Sequence, residues 1–562
     1  MKKPIIPIIL ILSLNLQAQF TSNVNFKKNL KTITTTLIIL LLFTTSIAQK
    51  WEQTIGISNF DEESRRVIEH YDKGYIITGS FTGGYNDHHG WIIKTDINGN
   101  VLWDKIIGVD PDQVIIEKAV YDEQGNLYIF GLLWGDLDID YPVIIKLNSC
   151  GEQQWCRLLY FEDYEYGAFY DGILLENGDL LGLANMPDED QYDMIFLFCI
   201  SPEGEYKWKR SYASKENHPD FEMRLGSRIQ FFDDIYIISG YVYSPSPAYP
   251  TVTSIRPMFI GIDSLFNEKW VLEFALMDNL KGKAYDCILL NDSLFMGVGT
   301  KRFVEGGEII NNSALMFFNK NGIEQGYNII QNGDISPSIN SNFIYDIERV
   351  DDSLFITTSA FGENYEGNPW GEFIIDTSGN IFQYESREGT AGSSHIYKTF
   401  DNKYVIASSY WYPDLSYDVY LYKVNDSLEQ DTVYPGSYTY DSLCPGTIQS
   451  GVIDLTGCGI ITHTDDIPWL EDYNGQKSKV KITPIPNPVE GGTIKFKIQN
   501  NGFHSNTELK CFDVHGELVL RQKLGPSQVE SIVHVGSWSP GIYVAVLYIG
   551  GSESGFCKFI IK

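Results

Sequence analysis

Few residues in this chain stand in patterns that could do chemistry. The clearest is Asp136-Leu137-Asp138-Ile139-Asp140, three alternating carboxylates on a loop, the kind of oxygen set that suits calcium. The run lacks the glycine that turns such a loop back and a terminal bidentate glutamate. Asp136, Asp138 and Asp140 therefore read as a solvated acidic loop and stand as a weak metal candidate. His88-His89, in Asn86-Asp87-His88-His89-Gly90, could ligate a metal or accept a proton, but no partner cluster accompanies it. His218 and His395 are lone. A carboxylate pair for glycoside hydrolysis is defined in space, and with 73 Asp and Glu any pair chosen from the sequence is close to noise. No Gly-x-Ser-x-Gly elbow, His-Glu-x-x-His helix or phosphate-binding glycine loop occurs. No catalytic residue and no cofactor follows from these patterns.

The eight cysteines include no Cys-x-x-Cys, so a zinc ribbon or a dithiol redox motif is unsupported. Cys444 and Cys458 sit among turn residues, in Asp441-Ser442-Leu443-Cys444-Pro445-Gly446 and Thr456-Gly457-Cys458-Gly459, and are expected to bridge. Cys150 and Cys156 flank one hairpin turn and are a second possible pair. Cys199 and Cys287 lie in apolar runs and read as buried thiols.

The elements that must position these residues repeat along the chain. Trp91-Ile92-Ile93-Lys94-Thr95-Asp96-Ile97-Asn98-Gly99-Asn100-Val101-Leu102-Trp103 is an apolar strand, a turn and an outer strand. Its Asp is followed by Gly three residues on and Trp seven residues on. Further copies are anchored at Asn148, Ser201, Asp263, Asn319, Asp376 and Asn425, decaying after the fourth, where Phe266 replaces the glycine. Ahead of each copy lies another strand pair with its own Asp/Asn/Gly turn, as in Asp72-Lys73-Gly74 and Glu123-Gln124-Gly125. Glycine in such turns supplies a positive φ without a Cβ clash, and an Asp or Asn side chain fixes the hairpin through backbone amides. The Trp is large enough to cover a seam against the next unit. Four strands per unit with no 3.6-residue period predict a seven-bladed β-propeller over residues 49–435. Trp51-Glu52-Gln53-Thr54-Ile55-Gly56 resembles the outer strand Trp103 to Gly108 and is expected to close the ring by pairing with the last blade. The Asp-x-x-Gly-x-x-x-Trp spacing resembles the docking motif of pyrroloquinoline-quinone-like propellers, which implies architecture and not the quinone.

The net charge of −31 over 562 residues argues against a nucleic-acid partner, since nothing would neutralise phosphates. The acidity lies in the body: residues 480–562 hold eight Lys/Arg against six Asp/Glu, which supports a boundary near 480. Residues 1–48 hold two signal-like segments, each with a basic start, a short apolar run and small residues before a cut. Cleavage is expected between Ala48 and Gln49, leaving no membrane-spanning segment in the mature chain. Residues 436–480 read as a disulfide-stapled connector followed by a protease-open linker.

Residues 481–562 open with Pro486-Asn487-Pro488 and continue through Asp513 to Gly516, then Gly541-Ile542-Tyr543, to a basic terminal strand from Lys558 to Lys562. This order resembles the type A C-terminal sorting domain of the type IX secretion system of Bacteroidetes. The resemblance implies a small C-terminal β-sandwich, passage through the periplasm to the outer surface or medium, engagement of the type IX machinery, and trimming of the C-terminal end. With no catalytic constellation, the expected function is a non-catalytic propeller that binds an extracellular glycan or protein or serves as a scaffold. A secreted polysaccharide-degrading hydrolase or lyase is the alternative.

Overall fold

The computed structural model describes residues 50–462 and 481–562, apart from loop segments of which the longest is 331–341. The described residues form strands and turns without a helix, and the chain divides into two compact units, 1–462 and 463–562. Ala48 and the adjoining Gln49 lie outside the described residues.

Among the described residues the first unit holds seven sheets, each with four antiparallel strands, which we number I to VII from the one that begins at Asp61. Their first strands are Asp61–Glu69, Gln113–Tyr121, Ala168–Leu174, Met223–Phe232, Ala284–Asn291, Asn342–Arg349 and Ala391–Lys398. These strands touch one another in that order, and the seventh touches the first. Between successive sheets lie separate apolar cores. One sets Ile76, Ile92 and Ile107 of sheet I against Val114, Ile129 and Val143 of sheet II; another sets Phe130 and Ile144 of sheet II against Phe169 and Phe198 of sheet III. Burying each such side chain contributes about 1.5–3 kcal/mol. The leading strand Glu52–Ile55 pairs antiparallel with Tyr417–Val424 and forms the outer edge of sheet VII, with Ile55 opposite Val419.

The repeated turns share one geometry at all seven anchors. Asp96 Oδ1 accepts from Asn98 N at 2.8 Å and Asn100 N at 2.9 Å. The same pair of bonds forms at Asn148, Ser201, Asp263, Asn319, Asp376 and Asn425. Gly99, Gly151, Gly204, Gly322 and Gly379 hold positive φ in these turns, and Phe266 (φ 63°) and Leu428 (φ 54°) adopt it where the glycine is missing. Packing compensates those two: Phe266 lies 4.7 Å from the Trp208 ring, and Leu428 is buried in the core of sheet VII.

Tryptophan then reaches the next sheet's turn. Trp155 Nε1 donates to Pro202 O at 3.0 Å, Trp270 Nε1 to Lys320 O at 2.9 Å and Trp51 Nε1 to Ile97 O at 2.7 Å. A Cβ on Gly204 would stand 2.7 Å from the Trp155 ring and one on Gly322 2.5 Å from the Trp270 ring. Glycine at these two turns therefore serves backbone conformation and indole docking together.

The cysteine pairing differs from the sequence expectation. Cys444 bonds Cys150 and Cys458 bonds Cys156, each pair with Cα atoms 4.9 Å apart; Cys444 does not bond Cys458, nor Cys150 Cys156. The physical reason is that residues 440–455 and 458–462 do not fold back on one another. They form a strap along two sheets: Gly451–Ile453 lies parallel to Lys105–Ile107 of sheet I, and Gly459–Thr462 lies parallel to Arg157–Tyr160 of sheet II. Each strap cysteine thus meets sheet II on its own. The strap also fills the seam between sheets I and II, where Trp103 Nε1 donates to Asp441 Oδ2 at 3.0 Å and Ile448, Ile453 and Leu455 join the core. The connector thus packs on the first two sheets and not at the end of the last, and residues 463–480 lie outside the described ones. Cys199 and Cys287 are buried thiols.

The second unit has two sheets, one joining Lys481–Ile485, Thr493–Gln499 and Glu530–His534, the other joining Leu518–Leu524, Thr507–Phe512, Gly541–Ile549 and Ser552–Ile561. Its core gathers Ile494, Phe496, Leu509, Leu547 and Phe559.

Candidate functional site

Each of the seven first strands carries a bulge. In six of them the residue just past it is ionisable: Arg66, Lys118, Asp171, Arg228, Asp286 and Asp346. In the seventh the bulge is wider, and His395 follows it, paired with Ala407. A bulge turns two successive side chains to one side, which is how an otherwise apolar strand can aim a charge inward.

These residues converge. Lys118 Nζ meets Asp171 Oδ1 at 2.5 Å, and Arg228 bridges Asp286 and Asp346, the latter at 2.6 Å through Oδ1. His395 Nδ1 lies 3.3 Å from Asp346 Oδ2, and Arg66 bonds the same imidazole. Backbone amides complete the carboxylates: Gly172 N and Ile229 N donate to Asp171 at 2.9 and 2.8 Å, while Ile347 N and Ile396 N donate to Asp346 at 3.0 and 3.2 Å. Arg228 reaches from sheet IV to sheet VI, so the seven strands enclose a narrow axis. Three cations face three carboxylates across it.

Electrostatics follow from this packing. Burial penalises every charge, yet Lys118 and the nearby arginines hold the Asp171 carboxyl below the ordinary range. Arg228 and His395 do the same for Asp346. Burial and the Arg66 guanidinium push the His395 imidazole down to about 3, so it is neutral at physiological pH. Glu348, two residues beyond Asp346, is pushed up to about 7 by burial and by the Asp346 charge. A second layer lies at the bulges themselves, where Arg65 stands 3.9 Å from Glu117 and the Tyr285 and Tyr345 rings are 6.0 Å apart.

The residues singled out from sequence fall elsewhere. Asp136 and Asp138 lie outside the described residues, and Asp140 opens the strand Asp140–Leu147. Among the described residues no three His, Cys, Asp or Glu side chains gather as metal ligands. His88 and His89 are half-buried at the start of a strand, against Trp134 (4.9 Å) and Phe81 (5.2 Å). His218 pairs with Glu268 at 3.7 Å. His395, lone in sequence, belongs to the axial ring. The ring was missed, although a signal existed: each member is an ionisable residue seven to nine positions before the next strand begins.

In the second unit the terminal motifs act on one another. Asn487 Oδ1 accepts from Ile560 N at 2.9 Å, Val489 N donates to Ile560 O at 2.7 Å, and Lys562 N donates to Val489 O at 3.1 Å. The Pro486-Asn487-Pro488 opening thus fastens the last strand, the one that carries Lys558. Tyr543 is buried against Phe559 and Trp538, its hydroxyl donating to Ser539 O at 2.7 Å, and Gly541 pairs with Ile561. Asp513 directly follows the strand Thr507–Phe512, and Gly516 lies outside the described residues.

Residues 485–562 match the family model described as the secretion system C-terminal sorting domain. The C-terminal unit is a type IX sorting domain. The sorting domain marks the protein for the cell surface or the extracellular space and for interaction with the secretion machinery. Among the described residues no helix is long and apolar enough to cross a membrane. No curated protein matches the chain. Solved structures share its fold only distantly. A protein of unknown function from Bacteroides caccae is 10% identical, with a TM-score of 0.31, over 58% of this chain and 94% of that one. Drosophila Plexin A in complex with Semaphorin 1b is 9% identical, with a TM-score of 0.39, over 67% and 87%. A thermostable family-43 glycoside hydrolase is 9% identical, with a TM-score of 0.29, over 49% and 95%. Likenesses this weak carry no argument about ligand or activity.

Proposed function

We propose that residues 49–435 are a seven-bladed β-propeller, that residues 481–562 are a β-sandwich used for export, and that the propeller is a non-catalytic module which binds an extracellular glycan or protein or presents a scaffold. One observation carries the non-catalytic reading. Each carboxylate at the axis is engaged by a cation and a backbone amide, Asp171 by Lys118 and Ile229 N, and Asp346 by Arg228 and Ile396 N. Asp286, which burial and the Asp346 charge hold well above the ordinary range, is engaged by Arg228 and Cys287 N. The three are therefore taken up with one another and not presented to a substrate. A catalytic pair needs two carboxyls with split affinities and access to substrate. Asp346 and Glu348 have the split, and that favours the second reading, a polysaccharide-degrading hydrolase or lyase. Asp346, however, is bound by Arg228 and His395.

The test is a glycan and extracellular-matrix binding array run beside a polysaccharide depolymerisation screen, on wild type and Glu348→Gln. Binding without turnover supports the module reading. Turnover of any polymer by the pure protein, lost in Glu348→Gln, replaces it with the enzyme.

A further inference from the structure

Buried carboxylates in the first unit are repeatedly matched by a cation. Asp171 has Lys118 at 2.5 Å, Asp346 has Arg228 at 2.6 Å, Asp72 has Lys94 at 2.5 Å and Glu372 has Arg387 at 2.8 Å. Glu62 breaks the pattern. It is fully buried on the first strand of sheet I, its Oε1 accepting from Ile57 N at 2.8 Å. Among the described residues its Oε2 has no hydrogen-bond donor. The neighbours that act most strongly on it are Ile57 N and two further acids, Asp418 and Asp61, with no lysine, arginine or histidine among them. An uncompensated buried carboxylate beside a second one is costly, and something must neutralise it.

The place is informative. Asp418 is half-buried on the last strand of sheet VII, next to Val419, which pairs with Ile55 of the closing strand. A Cβ on Gly56 would stand 2.3 Å from Asp418 Oδ1, so the closing strand ends with bare backbone against this carboxylate. Asp61 Oδ1 is engaged by Tyr417 N at 3.1 Å. The two acids therefore sit where the N-terminal strand closes sheet VII beside sheet I.

We infer that Glu62 and Asp418 bind a divalent cation, calcium in an extracellular setting, and that this cation fastens the closing seam. Two carboxylates suit a hard cation whose other ligands are backbone carbonyls and water, and sites of this kind in extracellular modules have Kd values of about 0.1–1 mM. A cation here would tie sheet VII to sheet I beside the end of the N-terminal strand. The competing occupant is a proton shared between the two carboxyls.

The test uses the whole exported chain. Calcium is titrated calorimetrically, and melting is followed in EDTA and in about 5 mM calcium, for wild type, Glu62→Gln and Asp418→Asn. The inference expects saturable binding, a rise of about 2–4 °C in Tm for wild type, and loss of both in either variant. Two results would overturn it. One is a wild type indifferent to calcium with a Glu62→Gln variant of equal or higher Tm, because glutamine can donate to Asp418 as the shared proton does. The other is calcium binding that survives in both variants, which would place the ion elsewhere.

Discussion

The two units are built from the same kind of strand and held by different means. The first unit repeats one hairpin, closes three seams with an indole laid on the next turn, and adds a strap bonded covalently through Cys150–Cys444 and Cys156–Cys458. The second has no such repetition, and its Cys511 and Cys557 are buried thiols that form no bridge. Its ends are fastened by hydrogen bonds between the Pro486-Asn487-Pro488 opening and the last strand. If the sorting domain is removed after export, the first unit has to stay folded without it. Covalent closure in the first unit and free thiols in the second fit that expectation.

The contrast can be broken most sharply by deletion. Removing residues 481–562 should abolish surface delivery, read by fractionation, and leave the melting transition of the first unit nearly unchanged. Normal delivery would refute the export role, and a collapsed transition would refute independence. In wild-type cells, mass spectrometry of the surface form should show that the Lys558–Lys562 end has been removed.

Reduction comes next in size. Losing a native disulfide typically costs about 2–5 kcal/mol, so Cys444→Ser with Cys458→Ser should destabilise the first unit by at least that in denaturant titrations. The sorting domain should be unaffected. Non-reduced peptide mapping should return the pairs Cys150–Cys444 and Cys156–Cys458, and a Cys444–Cys458 peptide would contradict the strap.

A seam inside the first unit should cost somewhat less. Trp270→Ala loses an indole that stacks on Gly322 and donates to Lys320 O, and should destabilise by about 3 kcal/mol without affecting export.

The smallest effect per measured step is a pH slope. His395 is held neutral with its affinity pushed down to about 3, against about 6.5 when unfolded. Between those values the unfolded chain binds the extra proton, so its contribution is intact above about pH 6.5 and is lost as pH falls toward 3. The slope approaches about 1.4 kcal/mol per pH unit, and His395→Asn should flatten it in stability measurements at stepped pH.

Much of this architecture was legible because it is written locally. The seven turn anchors are set by a side chain bonding amides two and four residues on, and the glycine by the φ its turn needs; both are short-range constraints that leave a fixed spacing. The sorting domain is legible for the same reason, as a run of motifs in order. The decayed copies were legible only as a period, since Phe266 and Leu428 keep the turn through packing that sequence does not display.

Three features were decided by the tertiary structure alone. The disulfide partners are 294 and 302 residues apart, and turn composition around Cys444 and Cys458 could not reveal that the strap runs along two sheets. The axial ring draws one residue from each of seven strands, so His395 looked isolated until Arg66 and Asp346 were brought to it from 329 and 49 residues away. Glu62 and Asp418 act on each other only because sheet VII packs against sheet I. Periodicity and turn chemistry are properties of neighbours in sequence and can be read there. Charge compensation and covalent closure depend on which surfaces meet, and only the closed arrangement of sheets fixes that.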